Sequence, residues 1–343
     1  MGKAEDTLQQ ILKDTSPSKE TLELVRERRD KVLRIAGRYP GALRTYKSGS
    51  MAHRTANGDT DADGGVVLDR RSYPALGPDG DGKGPAEVVE DVRRHLRSEL
   101  KEDHPDIAFY VSKRAIRVTF HEPLPDGTDP TVDLIVALTR KAGALWIPNL
   151  QQSRWDPSDP EGHTRLMTAN PATLRRTRAK IIRLAKAWNK QASRPGLSSF
   201  NITALALACV EPGIGIATGL REFFDYSARE LKKRRTPDPA GVSPPIKMLI
   251  DRDTIVGRLE RATRKMDDAL DHDDDEDKVL EALSSLFGQY VDPPSGSSSK
   301  AAYAGALRRG NSAVSVSGGL TLGAGSGVSI KSSRSYGSVH LER

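Results

Sequence analysis

The chain has 343 residues, 36% of them apolar and 29% charged, with a formal net charge of +7. That length predicts two lobes with a linker or tail to spare. The longest apolar runs, 134–138 and 202–210, fall far short of the roughly 20 residues of a membrane helix, no charged-then-apolar leader opens the chain, and a single cysteine, Cys209, excludes an intramolecular disulfide or a cysteine-based zinc cluster. A cytoplasmic protein without membrane partners is expected. The positive balance suits a phosphate-rich partner, but the last 53 residues hold six Lys/Arg against two Asp/Glu, so most of the excess sits in the tail and charge alone decides nothing.

In chain order, residues 1–40 read as helix. Leu8, Ile11 and Leu12 mark a short amphipathic piece, Ser16-Pro17-Ser18 offers an N-terminal cap, and Leu22, Leu24, Val25, Val32, Leu33 and Ile35 follow at helical spacing before Tyr39-Pro40-Gly41. Between 42 and 138 the pattern changes to short apolar runs at 66–68, 107–111, 115–120 and 132–138, which read as strands, with a helical stretch at 86–101. After Pro171, stretches 172–191, 199–210, 219–233, 252–270 and 277–290 repeat apolar residues every three or four positions. The prediction is an α+β fold: a lobe with a small mixed sheet over 1–165, which includes the N-terminal helix, and a helical lobe over 166–291. Residues 292–343, with 13 Ser and 9 Gly among the last 53, carry too little apolar surface to offset ordering entropy and read as a disordered tail. Alternation at 312–322 is its one hint of strand.

Two motif-like segments lack the required chemistry. Gly77 to Gly84 resembles a phosphate-binding loop, but Gly84 stands where a magnesium-holding hydroxyl is required. The acidic run 271–277 has Glu276 where a calcium loop needs Gly and Ala282 where it needs Glu, and reads as a solvated connector. No His-Glu-x-x-His spacing supports a zinc hydrolase.

The informative segment is Ser48-Gly49-Ser50 followed by Asp59-Thr60-Asp61-Ala62-Asp63-Gly64-Gly65-Val66. Gly49-Ser50 can offer backbone N–H groups and a hydroxyl to a phosphate. Asp61 and Asp63, two apart at the start of a strand, project one way. Paired carboxylates repel unless a cation sits between them, and hard oxygen donors suit Mg²⁺ or Mn²⁺. Asp59/Asp61 is the alternative pair; the apolar strand following Asp63 favours Asp61/Asp63. Asp133, between Val132 and Leu134, is costly to bury without a metal or cationic partner. A hairpin of 115–120 with 132–138, turning through 122–129, would bring it opposite the first two acids.

Gly-Ser, Asp-x-Asp and a later strand Asp, in this order over roughly residues 20–140, resemble the DNA polymerase beta-like nucleotidyltransferase superfamily. The segment from Arg175 to Lys190 with Leu197-Ser198-Ser199-Phe200 resembles the helical lobe of its cGAS/DncV-like branch, the CD-NTases. The resemblance implies a helical lobe that closes the active-site cleft, NTP substrates, and a metal site of Asp61, Asp63 and Asp133. It implies nucleotide contacts from Gly49, Ser50, Lys186 and Ser199. It further implies a cyclic oligonucleotide product, a downstream cyclic-nucleotide effector and a part in bacterial anti-phage (CBASS) defence. The animal DNA sensor's zinc-binding insertion has no counterpart here, which argues against duplex-DNA sensing by that device. The competing expectations are transfer to another acceptor, such as a tRNA end, a protein hydroxyl or a small molecule, and a non-catalytic nucleotide or RNA binder. The latter would use Arg175, Arg176, Arg178 and the run Lys232-Lys233-Arg234-Arg235. Trp188 is expected to pack between helices.

Overall fold

The computed structural model describes residues 2–58, 61–80, 84–141 and 143–294, with the backbone of two short strands further on. The first part of the chain contains α1 (Lys3–Asp14), α2 (Lys19–Ala36), β1 (Ala42–Ser48), α3 (Gly49–His53), β2 (Ala62–Leu68), α4 (Ala86–Leu100), β3 (Ala108–Val111), β4 (Ile116–Thr119) and β5 (Val132–Thr139). Then come β6 (Leu145–Asn149), β7 (Arg154–Ser158), α5 (Pro160–Thr168), α6 (Ala172–Lys190), α7 (Ser199–Cys209), α8 (Ile216–Lys233), α9 (Arg252–Asp271) and α10 (Glu276–Phe287). No helix among the described residues is long and apolar enough to cross a membrane.

The chain forms two compact units. The sheet unit comprises residues 17–170 and a strap, 238–244; the helical unit comprises 2–16, 171–237 and 245–294. This division departs from the expected 1–165 and 166–291. Helix α1 belongs to the helical unit because its apolar face, Ala4, Leu8, Ile11 and Leu12, is buried against α6, α8 and α10. Helix α5 stays with the sheet unit up to Asn170, and the strap returns to that unit. Of the expected tail, residues 295–311, 315–319 and 323–343 lie outside the described residues; Ser312–Val314 (β8) and Leu320–Leu322 (β9) pair antiparallel, where the alternation pointed to strand. Residues 81–83 of the glycine-rich segment and Asp59-Thr60 also lie outside them.

The sheet has the order β1-β2-β5-β4-β3, with β6 on the C-terminal end of β5 and β7 beside β6. The β2–β5 pair is parallel and the others antiparallel, which makes the sheet mixed. Alternation along β2 and β5 sends Ala62, Val66 and Leu68, with Val132, Leu134, Val136 and Leu138, into a core with Val25, Val32 and Leu33 of α2 and Val88, Val92 and Leu96 of α4. The other face carries Val67, Ala137, Leu145, Ile147 and Tyr46. Asp63 and Asp133 fall in the second set by the same alternation. A Cβ at Gly65 would stand 2.2 Å from Tyr46 Cζ, so glycine there lets the ring lie across the strand.

The expected cap of α2 is present: the Ser18 hydroxyl accepts the Thr21 N–H at 3.0 Å. Strands β1, β6 and β7 and helices α3 and α5 were not expected. β1 is a largely exposed strand with one buried apolar residue, Tyr46, and β6 and β7 contain Pro148 and Pro157, which argue against strand in sequence but are tolerated near sheet edges. Helix α5 did carry a start signal, Asp159 before Pro160; its carboxylate accepts the Gly162 N–H at 2.7 Å. In the helical unit, the acidic run 271–277 is more than a solvated connector. Asp273 Oδ1 accepts the Ala4 N–H at 2.7 Å and so caps α1, and Asp275 caps α10. Trp188 packs edge-on against Phe224, ring centroids 4.9 Å apart, as expected of a core residue.

Candidate active site

Strand register assembles the site. Ser48 of β1 is the partner of Asp63 on β2, Asp63 of Asp133 on β5, and Asp133 of Arg117 on β4. Register partners project from the same face of a sheet, so two acids far apart in sequence become neighbours. Asp61 lies one residue before β2, and its Oδ1 accepts the Thr131 N–H at 3.0 Å, just ahead of β5. The three predicted aspartates therefore meet at the same end of the parallel β2–β5 pair.

Their electrostatics differ. Asp133 is only 5% exposed, and Arg117 holds it with two parallel bonds, Nε to Oδ1 at 2.9 Å and Nη2 to Oδ2 at 3.0 Å. The bonds to Asp133 raise the Arg117 pKa further, and the charges of Asp61 and Asp63 add to the effect. Burial pushes the Asp61 carboxyl above the ordinary range; the Thr131 amide opposes this, and the charge on Asp133 adds to the rise. Gly49 opens α3 at φ 71°, and a Cβ there would fall 1.9 Å from Asp63 Oδ2. The backbone of the Gly49-Ser50 turn thus lies directly against an acid, which only glycine permits. Ser50 follows, half-buried, in the first turn of α3.

The donor set fits a hard divalent cation. Asp63 and Asp133 are register partners with Asp61 anchored at the same strand ends, the cradle at Gly49 has no side chain, and burial raises the Asp61 carboxyl, with the charge of Asp133 adding a part that a cation would offset. As the side chains lie, no three His, Cys, Asp or Glu among the described residues stand in ligand geometry, since Asp133 is closed onto Arg117 and Asp61 onto the Thr131 amide.

Arg117 was missed in the sequence, although the need for a cation near Asp133 was legible. Naming it requires the hairpin register. Arg28 was also missed. It occupies a buried position of α2, 3% exposed, and donates to Asp129 Oδ1 at 2.6 Å, the Pro130 carbonyl at 2.7 Å and the Glu122 carbonyl at 2.6 Å. Both ends of the β4–β5 turn are thereby held, one residue ahead of the Thr131 N–H that binds Asp61.

Lys186 and Ser199 lie in the helical unit. Lys186 is buried on α6, so it is not on a solvated helix face. Ser199 is exposed at the first position of α7, and the capping hydroxyl is that of Ser198, which accepts the Asn201 N–H at 3.1 Å. Asn189, three residues after Lys186, takes the Gly196 and Leu197 N–H groups at 2.9 and 3.1 Å and so fixes the approach to α7. The basic surface expected of a nucleic-acid binder is partly consumed. Arg178 is buried and donates to the Val210 carbonyl, Lys232 pairs with Glu260, and Arg234 pairs with Glu230.

The mixed sheet with its row of acids, and the separate helical unit, define the polymerase-beta-like nucleotidyltransferase fold. Within it, the chain has the fold of the CD-NTases. It is similar to Escherichia coli MS115-1 CdnC, solved with ATP, at TM-score 0.64 and 18% identity over 83% of this chain and 97% of the other. It is also similar to the Bradyrhizobium diazoefficiens CD-NTase CdnG in complex with GTP, at TM-score 0.59 and 16% identity over 83% and 94%. Vibrio cholerae DncV, a cyclic AMP-GMP synthase solved with nonhydrolyzable GTP, matches at TM-score 0.53 and 17% identity over 84% and 85%. By sequence, no protein-family model and no curated protein matches the chain.

Proposed function

We propose that the protein is a divalent-metal-dependent nucleotidyltransferase that joins NTPs into a cyclic oligonucleotide, a signal for a downstream effector in anti-phage defence. The observation that supports this reading most is the register row that sets Asp63 beside Asp133, with Asp61 anchored at the same strand ends. The fold shared with a cyclic AMP-GMP synthase supports the product class.

Asp61, Asp63 and Asp133 would hold Mg²⁺ or Mn²⁺, which when bound acidifies an acceptor ribose hydroxyl and neutralises charge on the departing pyrophosphate. Asp61, just ahead of β2, and Asp63 on it orient the reacting groups, and Asp133 does so from β5. Arg117 meets both carboxylate oxygens of Asp133 within a buried strand. Gly49 and Ser50 supply backbone N–H groups and a hydroxyl to the donor phosphates, close against Asp63. Lys186 and Ser199 are assigned to the donor triphosphate, an ammonium and a helix-terminal hydroxyl being suited to it.

The test is incubation of wild type and the Asp61→Asn, Asp63→Asn variant with all four NTPs and Mg²⁺ or Mn²⁺, followed by phosphatase treatment and mass spectrometry. Wild type is expected to yield a phosphatase-resistant product that the variant does not make. Identical products would refute the metal-site reading, and a phosphatase-sensitive linear product would refute ring closure. Lys186→Ala and Ser199→Ala should each raise the KM for NTP.

A further inference from the structure

We propose that Tyr110 is the platform on which the base of the acceptor nucleotide stacks, which makes it a specificity-determining residue of the acid site. This rests on the nucleotidyl-transfer reading and extends it. The row Ser48, Asp63, Asp133, Arg117 continues by one more register partner, because Arg117 of β4 pairs with Tyr110 of β3. Five strands contribute one residue each, all projecting from the same face. At the usual strand spacing the Tyr110 backbone is about 10 Å from that of Asp133, a gap that a nucleoside lying on the ring can span.

The direction of the row identifies which nucleotide this is. Gly49, which packs against Asp63, and Ser50 mark the β1 end as the phosphate side. Tyr110 stands at the opposite end, beyond Asp133, where the attacking hydroxyl and its nucleoside must lie.

Tyr110 is 57% exposed. Single exposed apolar residues are ordinary, and Leu43, Leu166 and Leu249 are exposed as well. Position distinguishes Tyr110, since it is the exposed aromatic residue in register with the acids. Its neighbour Phe109 packs toward the core on the other face. An edge strand is usually blunted by charge or proline, whereas β3 presents an exposed ring at the position paired with Arg117. Half-buried Ile135 lies on the same face, two residues along β5 from Asp133. An aromatic ring, a guanidinium plane and an aliphatic side chain are the surfaces that hold a nucleobase by stacking.

The experiment uses the full-length protein with Tyr110→Ala, Tyr110→Phe and Tyr110→Trp. Tyr110→Ala is expected to weaken ATP or GTP, measured as KM and by equilibrium binding, by about tenfold or more, in the range that loss of one base stack produces. Tyr110→Phe should stay within about twofold of wild type, because the ring and not the hydroxyl makes the contact. Tyr110→Trp should add fluorescence quenching by ATP or GTP over the wild-type signal of Trp146, Trp155 and Trp188, and tripolyphosphate, which has no base, should produce none. Unchanged NTP binding in Tyr110→Ala overturns the inference, as does a change only in self-association. The quenching needs no turnover: quenching without product would sink the catalytic reading and keep Tyr110, whereas product with an indifferent Tyr110→Ala would sink Tyr110 alone.

Discussion

Asp133 is a carboxylate at a core position of β5, flanked by Val132 and Leu134, and its burial is tolerated because Arg117 meets both its oxygens. Removing one partner of such a pair leaves the other charge buried and uncompensated, which typically costs about 3–5 kcal/mol. Arg117→Ala is therefore expected to lower the urea midpoint markedly. Adding Mg²⁺ should recover more stability in that variant than in wild type, because the cation meets the acids that the guanidinium no longer screens. Pairing Arg117→Ala with Asp133→Asn should recover stability without metal; a double variant as unstable as the single one would contradict the account. In the sequence, the need for a compensating cation beside Asp133 was readable from the cost of burying charge. Its source was not, because Arg117 lies 16 positions away and is selected only by hairpin register.

At the scale of elements, the β4–β5 hairpin and its turn were legible from two apolar runs around a Pro/Gly-rich stretch. The clamp on that turn was not, since an arginine in a helix reads as a solvated residue until its helix is placed. The strap 238–244 was unreadable for a similar reason: proline and glycine there mark a linker, yet the Asp238 side chain is almost wholly buried. Burial alone would raise its carboxyl, but the Ser243 N–H, His163 and the Ala240 N–H hold it below the ordinary range, and the Val242 N–H also donates to it. A depressed carboxylate contributes stability that is present above about pH 4 and lost as pH falls through its folded value. Amide exchange at 240, 242 and 243 is thus expected to be protected near neutrality and to accelerate below about pH 4 relative to the intrinsic rates. Asp238→Asn should remove that pH step; a step that persists in the variant would assign it to another group.

At the scale of the molecule, the two-unit division was signalled by the change in periodicity after Pro171, and among the described residues each junction between units adjoins a proline: Pro17, Pro171, Pro237 and Pro245. The membership of α1 was hidden, because an amphipathic helix states that it has an apolar face and not which neighbour covers it. The caps of α1 decide this. The Asp273 carboxylate takes the Ala4 N–H and its backbone carbonyl the Lys3 N–H, Glu5 takes the Ala217 N–H at the start of α8, and Arg183 donates to the Leu12 carbonyl at the other end of α1. Asp273→Ala should cost about 1 kcal/mol, the usual worth of a helix cap. Asp274→Ala, an exposed neighbour, should leave the denaturation midpoint unchanged. Equal effects would show the run acting by bulk charge rather than by capping.

Local spacing was enough to determine the alternation of apolar residues that makes β2 and β5 strands, and to single out the glycine before the acid pair and the three aspartates as candidates. These are properties of a few consecutive residues, set by sterics, side-chain period and the cost of buried charge. Tertiary structure decided that Asp63 and Asp133 are register partners, that Arg117 and Tyr110 extend their row, and that Arg28 holds the turn feeding it. Those relations depend on which strand lies beside which and in what register, and the free energy that selects one pairing is spread over the whole core.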